Sequence, residues 1–281
     1  MRRLLLSGNA AKNYDHFCRH PTYNTKPDTL ARTWASLKNQ THTDWEWVVL
    51  DDSPGLETWR HIYGLCADER YRIRAYRPHT PSSGNIGSVK HDAFMLGRGD
   101  ILVELDHDDE LTPNALALIA EAFQDPEVGF VWSDCTELFP NGESGRYPDG
   151  WGMGFGSHYW DDTHGVWAHR VPMNRVTLSH IVSAPNHVRA WRASVYHAIG
   201  GHSTSLHVAD DYELILRTAV ATRCHHIPKM IYKQHIGPQT AQRVKNADIQ
   251  RLVPQIHARH TDALDAVWGP LQENDEQVVV G

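Results

Sequence analysis

Three aspartates within four positions, Asp106, Asp108 and Asp109, follow the apolar run Ile101-Leu102-Val103-Glu104-Leu105. Carboxylates packed this closely repel one another unless a cation or a proton intervenes. Their hard oxygens suit a divalent ion such as Mn²⁺ or Mg²⁺. Two further acidic pairs stand elsewhere: Asp51-Asp52 after Trp45-Glu46-Trp47-Val48-Val49-Leu50, and Asp210-Asp211 opening the run Asp-Asp-Tyr-Glu-Leu-Ile-Leu-Arg. Paired aspartates in turns are common as solvated turn residues. What sets the first cluster apart is the apolar strand that runs straight into it. Cys224-His225-His226 has metal-like residue types but lacks a second ligand pair at a finger-like spacing.

Hydrophobic periodicity supplies the elements that position these acids. Phe17 to Asn24 reads as a short strand ending in a loop, although Arg3 to Ser7 as the true first strand, with an insertion after it, stays open. Asp28 is expected to cap a helix that presents Leu30, Trp34 and Leu37 on one face. Trp45 to Leu50 is a strand, Glu57 to Cys66 a helix, Tyr71 to Tyr76 a strand and Ile86 to Leu96 a helix. The strand at Ile101 follows, then a helix starting near Thr112-Pro113, with Leu116, Ile119 and Phe123 on one side over Ala115 to Phe123, and the strand Val128 to Trp132. This alternation predicts an α/β fold, a mostly parallel central sheet with helices on both faces. Ligands in such sheets bind beyond the carboxyl ends of the strands, where the Asp51-Asp52 and Asp106 to Asp109 turns fall.

The second half differs. Residues 136 to 180 are rich in Gly, Trp, Tyr and His with few aliphatics, and within them Gly150 to Gly156 reads as a mobile, aromatic-bearing loop. Asn186 to Arg192 regains strand character, Ser194 to Ile199 is a short helix closed by Gly200-Gly201, and Asp210 to Arg217 starts a helix with acids at its positive end. Ala247 to Ala258 is expected to be helical, and the residues from Glu273 disordered.

The 281 residues carry 41% hydrophobic and 22% charged side chains, ordinary for a globular protein, and a net charge of -7, which argues against a broad nucleic-acid footprint. No apolar run approaches the roughly 20 residues that span a bilayer. The four scattered cysteines, Cys18, Cys66, Cys135 and Cys224, make no CxxC pair and fit free thiols in a reducing compartment. A cytoplasmic location follows, peripheral membrane attachment being left open. Oligomeric state is not legible.

Four blocks in order resemble the family 2 glycosyltransferases of the GT-A (Rossmann-like) fold. They are Pro21-Thr22-Tyr23-Asn24 with Leu30 to Thr41 and Trp45 to Ser53; Asn85-Ile86-Gly87 to Pro113; Val188 to Gly201 with Asp210 to Arg217; and Tyr232 to His235. Residues 1 to 14, 136 to 180 and the tail lie outside the resemblance. With no internal repeat and no low-complexity linker, the chain reads as one domain over 1–281, with a nucleotide-sugar-binding half at 15–135, an acceptor and catalytic-base half at 136–240, and a C-terminal helix and tail at 241–281.

The resemblance also implies roles. Pro21, Thr22, Tyr23 and Asn24 would flank the nucleotide, with Tyr23 on the base. Asp52 would accept from the base, taken as uracil, with Asp51 in support. Asn85, Gly87, Lys90 and His107 belong to the donor site; Lys90 stands where the family often has arginine. Asp106 and Asp108 match the DxD motif, Asp108 as direct metal ligand and Asp106 nearer the ribose. Asp109 is expected to cap the next helix. His235 would complete the metal shell. Asp211 would be the general base, although Asp210, in place of the usual Glu, leaves the choice within the pair open. Trp151, Tyr159, Trp160 and Trp167 are candidates for stacking on the acceptor, and 150 to 167 for a lid. The activity implied is metal-dependent, inverting transfer from a nucleotide diphosphate sugar, expected to be a UDP-sugar, to a carbohydrate or other hydroxyl acceptor. A retaining transferase, a nucleotidyltransferase and a non-catalytic sugar-binding module are the rivals; a transferase acting on modified DNA is disfavoured by the acidic balance.

Overall fold

The computed structural model describes residues 16–69, 72–146, 156–182, 184–237 and 244–272. The Arg3 to Ser7 strand, Trp151 and the tail from Glu273 lie outside the described residues. The element order is β1 (His16–Thr22), α1 (Pro27–Lys38), β2 (Trp45–Asp51), α2 (Glu57–Glu69), β3 (Ile73–Tyr76), α3 (Ile86–Met95), β4 (Ile101–Glu104), β5 (Glu110–Leu111), α4 (Ala115–Ala122) and β6 (Val128–Leu138). Then come β7 (Ser157–Asp161), β8 (Val166–Arg170), α5 (Arg175–His180), β9 (Arg189–Arg192), α6 (Ala193–Ala198), α7 (Asp210–Ala221), β10 (Arg223–His235) and α8 (Asn246–Trp268).

A single sheet runs in the order β3-β2-β1-β4-β9-β6-β10-β5, with the β7–β8 hairpin joined to β6. The first four strands are parallel, as the alternation of strand and helix predicts. Beyond them β9 is antiparallel to both β4 and β6, and β10 is parallel to β6. Side chains alternate across the sheet. Ile101 and Val103 face a cluster with Leu30, Trp34 and Leu37 of α1, Ile62 of α2 and Leu116 and Ile119 of α4. Leu102 faces the other side, with Phe94 of α3, Tyr196 of α6, Leu214 and Ile215 of α7 and Ile256 of α8. Both faces are therefore covered.

Several elements differ from expectation for definable reasons. Lys26, not Asp28, occupies the cap position of α1 and makes no side-chain cap bond. Pro27 stands at the first position, where its missing N–H costs nothing, and Asp28 falls in the first turn, where the dipole favours an acid. α4 starts at Ala115, as its apolar face predicts, and the start near Thr112 does not form: β5, unexpected from the sequence, stands just before it and pairs antiparallel with β10. β6 runs six residues past Trp132 because β8 and β10 take up its backbone groups. β10 is the largest omission. Its sequence has three histidines and an internal Pro228, and register shifts between Ile227 and Tyr232 absorb that proline. The stretch 136 to 180, where the sequence suggests no regular element, contains the β7–β8 hairpin and α5, whose Asn174 and Thr177 form a capping box.

Candidate active site

One row of residues crosses the sheet in register. Val48 of β2 stands beside Arg19 of β1, then Glu104 of β4, Arg189 of β9, Trp132 of β6 and His226 of β10. Glu104 ends β4, and the acidic turn begins two residues later. Neighbouring strands are spaced by about 4.8 Å, so this row ties the acidic turn to the second half of the chain.

At the ends of β1 and β2, Asp51 is fully buried and accepts from Thr22 Oγ1 at 3.2 Å, Ser53 N–H at 3.1 Å and Ser53 Oγ at 2.5 Å. Arg77 Nη1 stands 2.5 Å from its other oxygen. The residue locks both strand ends together. Asp52 accepts from Ser82 N–H at 2.7 Å and Ser82 Oγ at 2.6 Å, and its own N–H donates to Thr22 O. An ionised carboxylate has about four acceptor positions, so Asp52 retains capacity for one more donor. Tyr23 is 53% exposed beside it, and Asn24, at φ 49°, donates its N–H to Ser53 Oγ. Pro21 is half-buried at the end of β1.

The acidic turn is held from two sides. Arg32 of α1 donates to Asp108 O at 2.7 Å, and Thr33 donates to His107 O and Asp109 O. From β10, Tyr232 donates to Asp109 Oδ2 at 2.7 Å while accepting from Asp106 N–H, and His235 N–H donates to Asp109 Oδ1 at 2.7 Å. Asp109 therefore anchors the turn to β10 and does not cap α4. Burial, with Asp108 and Asp106 close by, pushes its carboxyl well above the usual range.

Asp106 and Asp108 remain open, their side chains 31% and 38% exposed. Burial pushes Asp108 up, and the adjacent Asp106 adds to this against the opposing pull of His107. Its one ion-pair contact among the described residues is His107 Nδ1, at 3.9 Å. Asp106 is held below the ordinary range; burial opposes this, and Lys90 and His187 outweigh it. Two open carboxylates of this kind fit a hard divalent cation, which commonly takes one or two protein carboxylates and completes its shell with water and substrate phosphate. His235 does not join them. Its Nε2 stands 2.7 Å from Glu110 Oε1, and among the described residues no three His, Cys, Asp or Glu side chains converge on a common metal position.

Behind the turn lies a charged group that reasoning from sequence passed over. Glu104, 2% exposed, receives Lys90 Nζ at 2.6 Å on one oxygen and Arg189 Nε at 2.7 Å on the other. Arg189 Nη1 reaches Asp211 Oδ2 at 3.1 Å, and Nη2 meets His187 Nε2 at 3.2 Å. His187 in turn stands 3.6 Å from Asp106 Oδ2 and stacks on Tyr232. Against a burial that pushes Glu104 up, Arg189 and Lys90 hold it well below the usual carboxylate range. Burial lowers His187 to about 4 and His202 to about 3, so both rings are neutral at pH 7. The available signal was Glu104 itself: a charge inside a buried strand requires a partner.

Asp210 and Asp211 open α7 after Ala209, which takes a left-handed conformation. They differ sharply. Asp210 is 3% exposed, its Oδ2 has no hydrogen bond, and burial together with the neighbouring Asp211 raises it to about 7. Asp211 has a side chain 33% exposed; burial pushes its carboxyl up, but Arg189 and Lys90 hold it below the ordinary range. Gly87 packs α3 against this region: a Cβ there would lie 2.2 Å from Ser203 O and 2.5 Å from Leu206 O. Asn85 caps α3 by accepting from Ser88 N–H and donates to Thr204 O. Lys90 is thus paired with Glu104, and Gly87 and Asn85 join α3 to the loop before α7.

The aromatic candidates separate onto two faces of the β7–β8 hairpin. Tyr159 donates to the buried Asp134 at 3.0 Å, where Arg170 and His226 also converge. Trp160 and Trp167 pack edge to face at 5.6 Å on the opposite side, with Arg146 over the Trp167 ring. They do not form one platform. Of the expected lid, residues 157 to 161 and 166 to 167 are paired strand.

The class of protein that this architecture defines is the GT-A glycosyltransferase. It resembles the S. aureus TarS structure in complex with UDP-GlcNAc, with a TM-score of 0.63 at 17% identity over 91% of this chain and 71% of that one. It also resembles the mannosyltransferase PcManGT from Pyrobaculum calidifontis in complex with GDP-Man and Mn²⁺, with a TM-score of 0.58 at 16% identity over 95% and 79% of the two chains. Residues 20–183, more than half of the chain, match the family described as Glycosyl transferase family 2, and the chain belongs to that family. It is 26% identical over 233 residues to a chondroitin synthase of Escherichia coli, covering 82% of this chain and 30% of that protein. It is 25% identical over 227 residues to the uncharacterized protein y4gI of Sinorhizobium fredii (strain NBRC 101917 / NGR234), covering 79% and 22%. The chain therefore spans less than a third of the length of these relatives.

Proposed function

We propose that the chain transfers a sugar from a UDP-sugar to an acceptor hydroxyl with inversion, using Asp211 as general base and a divalent cation at Asp106 and Asp108. The observation that carries this reading is the contrast within the acidic pair of α7. Asp210 is sealed against α3, whereas Asp211 is ionised, partly exposed and clamped at the sheet row that leads to the acidic turn.

Asp211 takes the proton from the acceptor hydroxyl as that oxygen attacks the anomeric carbon. Its position at the positive end of α7 and against Arg189 keeps the carboxylate ionised before the proton arrives. One displacement needs no enzyme nucleophile. Tyr23 stacks on the base, and Asp52, held by Ser82, accepts from the ring N–H of uracil with its remaining lone pairs. Asp108 and Asp106 would hold the cation, and His235, paired with Glu110 at 2.7 Å, is left out of that assignment. Mn²⁺ or Mg²⁺ bound there supplies positive charge against the negative charge that builds on the leaving diphosphate. Tyr159, on the Asp134 side of the hairpin, is the aromatic candidate for the acceptor. TarS and PcManGT, which share the fold, were solved with UDP-GlcNAc and with GDP-Man and Mn²⁺ respectively.

A thermal-shift panel tests the donor reading. UDP with Mn²⁺ should stabilise the protein more than GDP or ADP; a clear purine preference refutes the assignment of Tyr23 and Asp52 to uracil.

A further inference from the structure

The mechanism so far uses Asp211 but leaves unexplained a buried cation beside it. Arg189 is 2% exposed, in mid-sheet, and its guanidinium makes three separate contacts: Nε to Glu104 at 2.7 Å, Nη2 to His187 at 3.2 Å and Nη1 to Asp211 at 3.1 Å. Burying a guanidinium costs several kcal/mol unless each face is paired, and a parallel arrangement of apolar residues would fill the same space. The two Glu104 oxygens are shared: Lys90 Nζ donates to one at 2.6 Å, and Arg189 Nε stands 2.7 Å from the other as an ion pair. The outer edge of the guanidinium then points at Asp211, with His187 on the remaining nitrogen.

We propose that Arg189 is the positioning residue for the Asp211 base, and that the Glu104–Lys90 ion pair is the mount that fixes Arg189. This rests on the reading of Asp211 as base. Arg189 Nη1 holds Asp211 Oδ2, and the Tyr212 N–H holds Oδ1 at 2.8 Å. The carboxylate is thereby constrained at both oxygens while 33% of its side chain faces the cleft. Arg189 does not touch the substrate; it sets where the accepting lone pair lies. A lysine in place of Arg189 would keep a positive charge beside Glu104 but cannot span Glu104 and Asp211 together.

The test uses the full chain with Mn²⁺ and whichever of UDP-glucose, UDP-galactose, UDP-N-acetylglucosamine and UDP-N-acetylgalactosamine the unmodified enzyme turns over fastest, read as UDP release. UDP affinity is measured separately by calorimetry. Arg189→Lys should lower kcat by about 100-fold, the scale of a misplaced catalytic group, and leave UDP affinity within about twofold, since nothing at the base site contacts the diphosphate. In the Asp211→Asn background the same substitution should cost nothing further, because residues that act as one unit are not additive. Glu104→Gln, which keeps the side-chain length and loosens the mount, should show a smaller loss that also vanishes in that background; it serves if Arg189→Lys does not fold. An equal loss with and without Asp211, an unchanged kcat, or a fall in UDP affinity matching that in kcat overturns the proposal. Absence of turnover with all four donors, or full activity of Asp211→Asn, instead overturns the underlying assignment of function.

Discussion

Asp210→Asn separates the two acids of α7 by stability and not by rate. Burial, with Asp211 and Glu104 nearby, raises Asp210 to about 7 from its ordinary 3.8, even with Lys90 pulling it down. A raised carboxyl binds its proton in the folded chain and releases it in the unfolded one. Between pH 4 and pH 7 the folded state therefore carries the extra proton, and stability falls as pH rises. The gap corresponds to roughly 4 kcal/mol once both states are ionised, and more than half of it develops between pH 5 and pH 8. Asparagine mimics the protonated acid and removes this pH dependence. For a chain of this size about 1 kcal/mol moves Tm by about 2–4 °C, so the variant should gain about 5–10 °C on the parent at pH 8 and much less at pH 5. Thermal denaturation of both proteins from pH 5 to pH 8 decides the matter. Parallel curves, or a variant that loses ground as pH rises, would refute the burial of an uncompensated Asp210.

The same variant should retain sugar transfer, whereas Asp211→Asn should keep donor binding and lose about 10²–10⁴-fold in rate; turnover lost in Asp210→Asn and kept in Asp211→Asn reverses the assignment. Asp108→Ala should abolish the Mn²⁺-dependent part of UDP binding in calorimetry, and an unaltered isotherm contradicts the metal assignment. Gly87→Ala brings a Cβ against two backbone oxygens, Ser203 O and Leu206 O, and should cost about 1–3 kcal/mol in denaturant unfolding; a neutral effect there would show that α3 can shift away from the loop before α7.

Much of the first half was legible because β2 and β4 are short, largely apolar runs leading into acidic turns, and the helices between the strands show a single apolar face. The parallel order of β1 to β4 follows from that pattern. β10 was not legible, since Arg223 to His235 carries polar residues at half-exposed positions and a proline that only a bulge accommodates. The site divides the same way. Asp51, Asp52, Asp106, Asp108 and Asp211 are acids beyond strand ends or at a helix start, and local pattern exposes them. Arg189, His187, Tyr232 and Ser82 enter through pairing between distant segments, which no local window contains. Asp109 shows the limit most clearly: beside an apparent helix start it resembles a cap, but β5 pairs with β10 and redirects it to Tyr232 and His235. The hairpin likewise divides Tyr159 from Trp160 and Trp167, which in sequence read as one aromatic group.

The central claim is a single displacement at the anomeric carbon assisted by Asp211. When water replaces the acceptor, proton NMR of the sugar released from an α-linked UDP-sugar in the presence of Mn²⁺ reads the stereochemistry before mutarotation. The β anomer should appear first, and its formation should fall with Asp211→Asn. An initial α anomer would contradict the account.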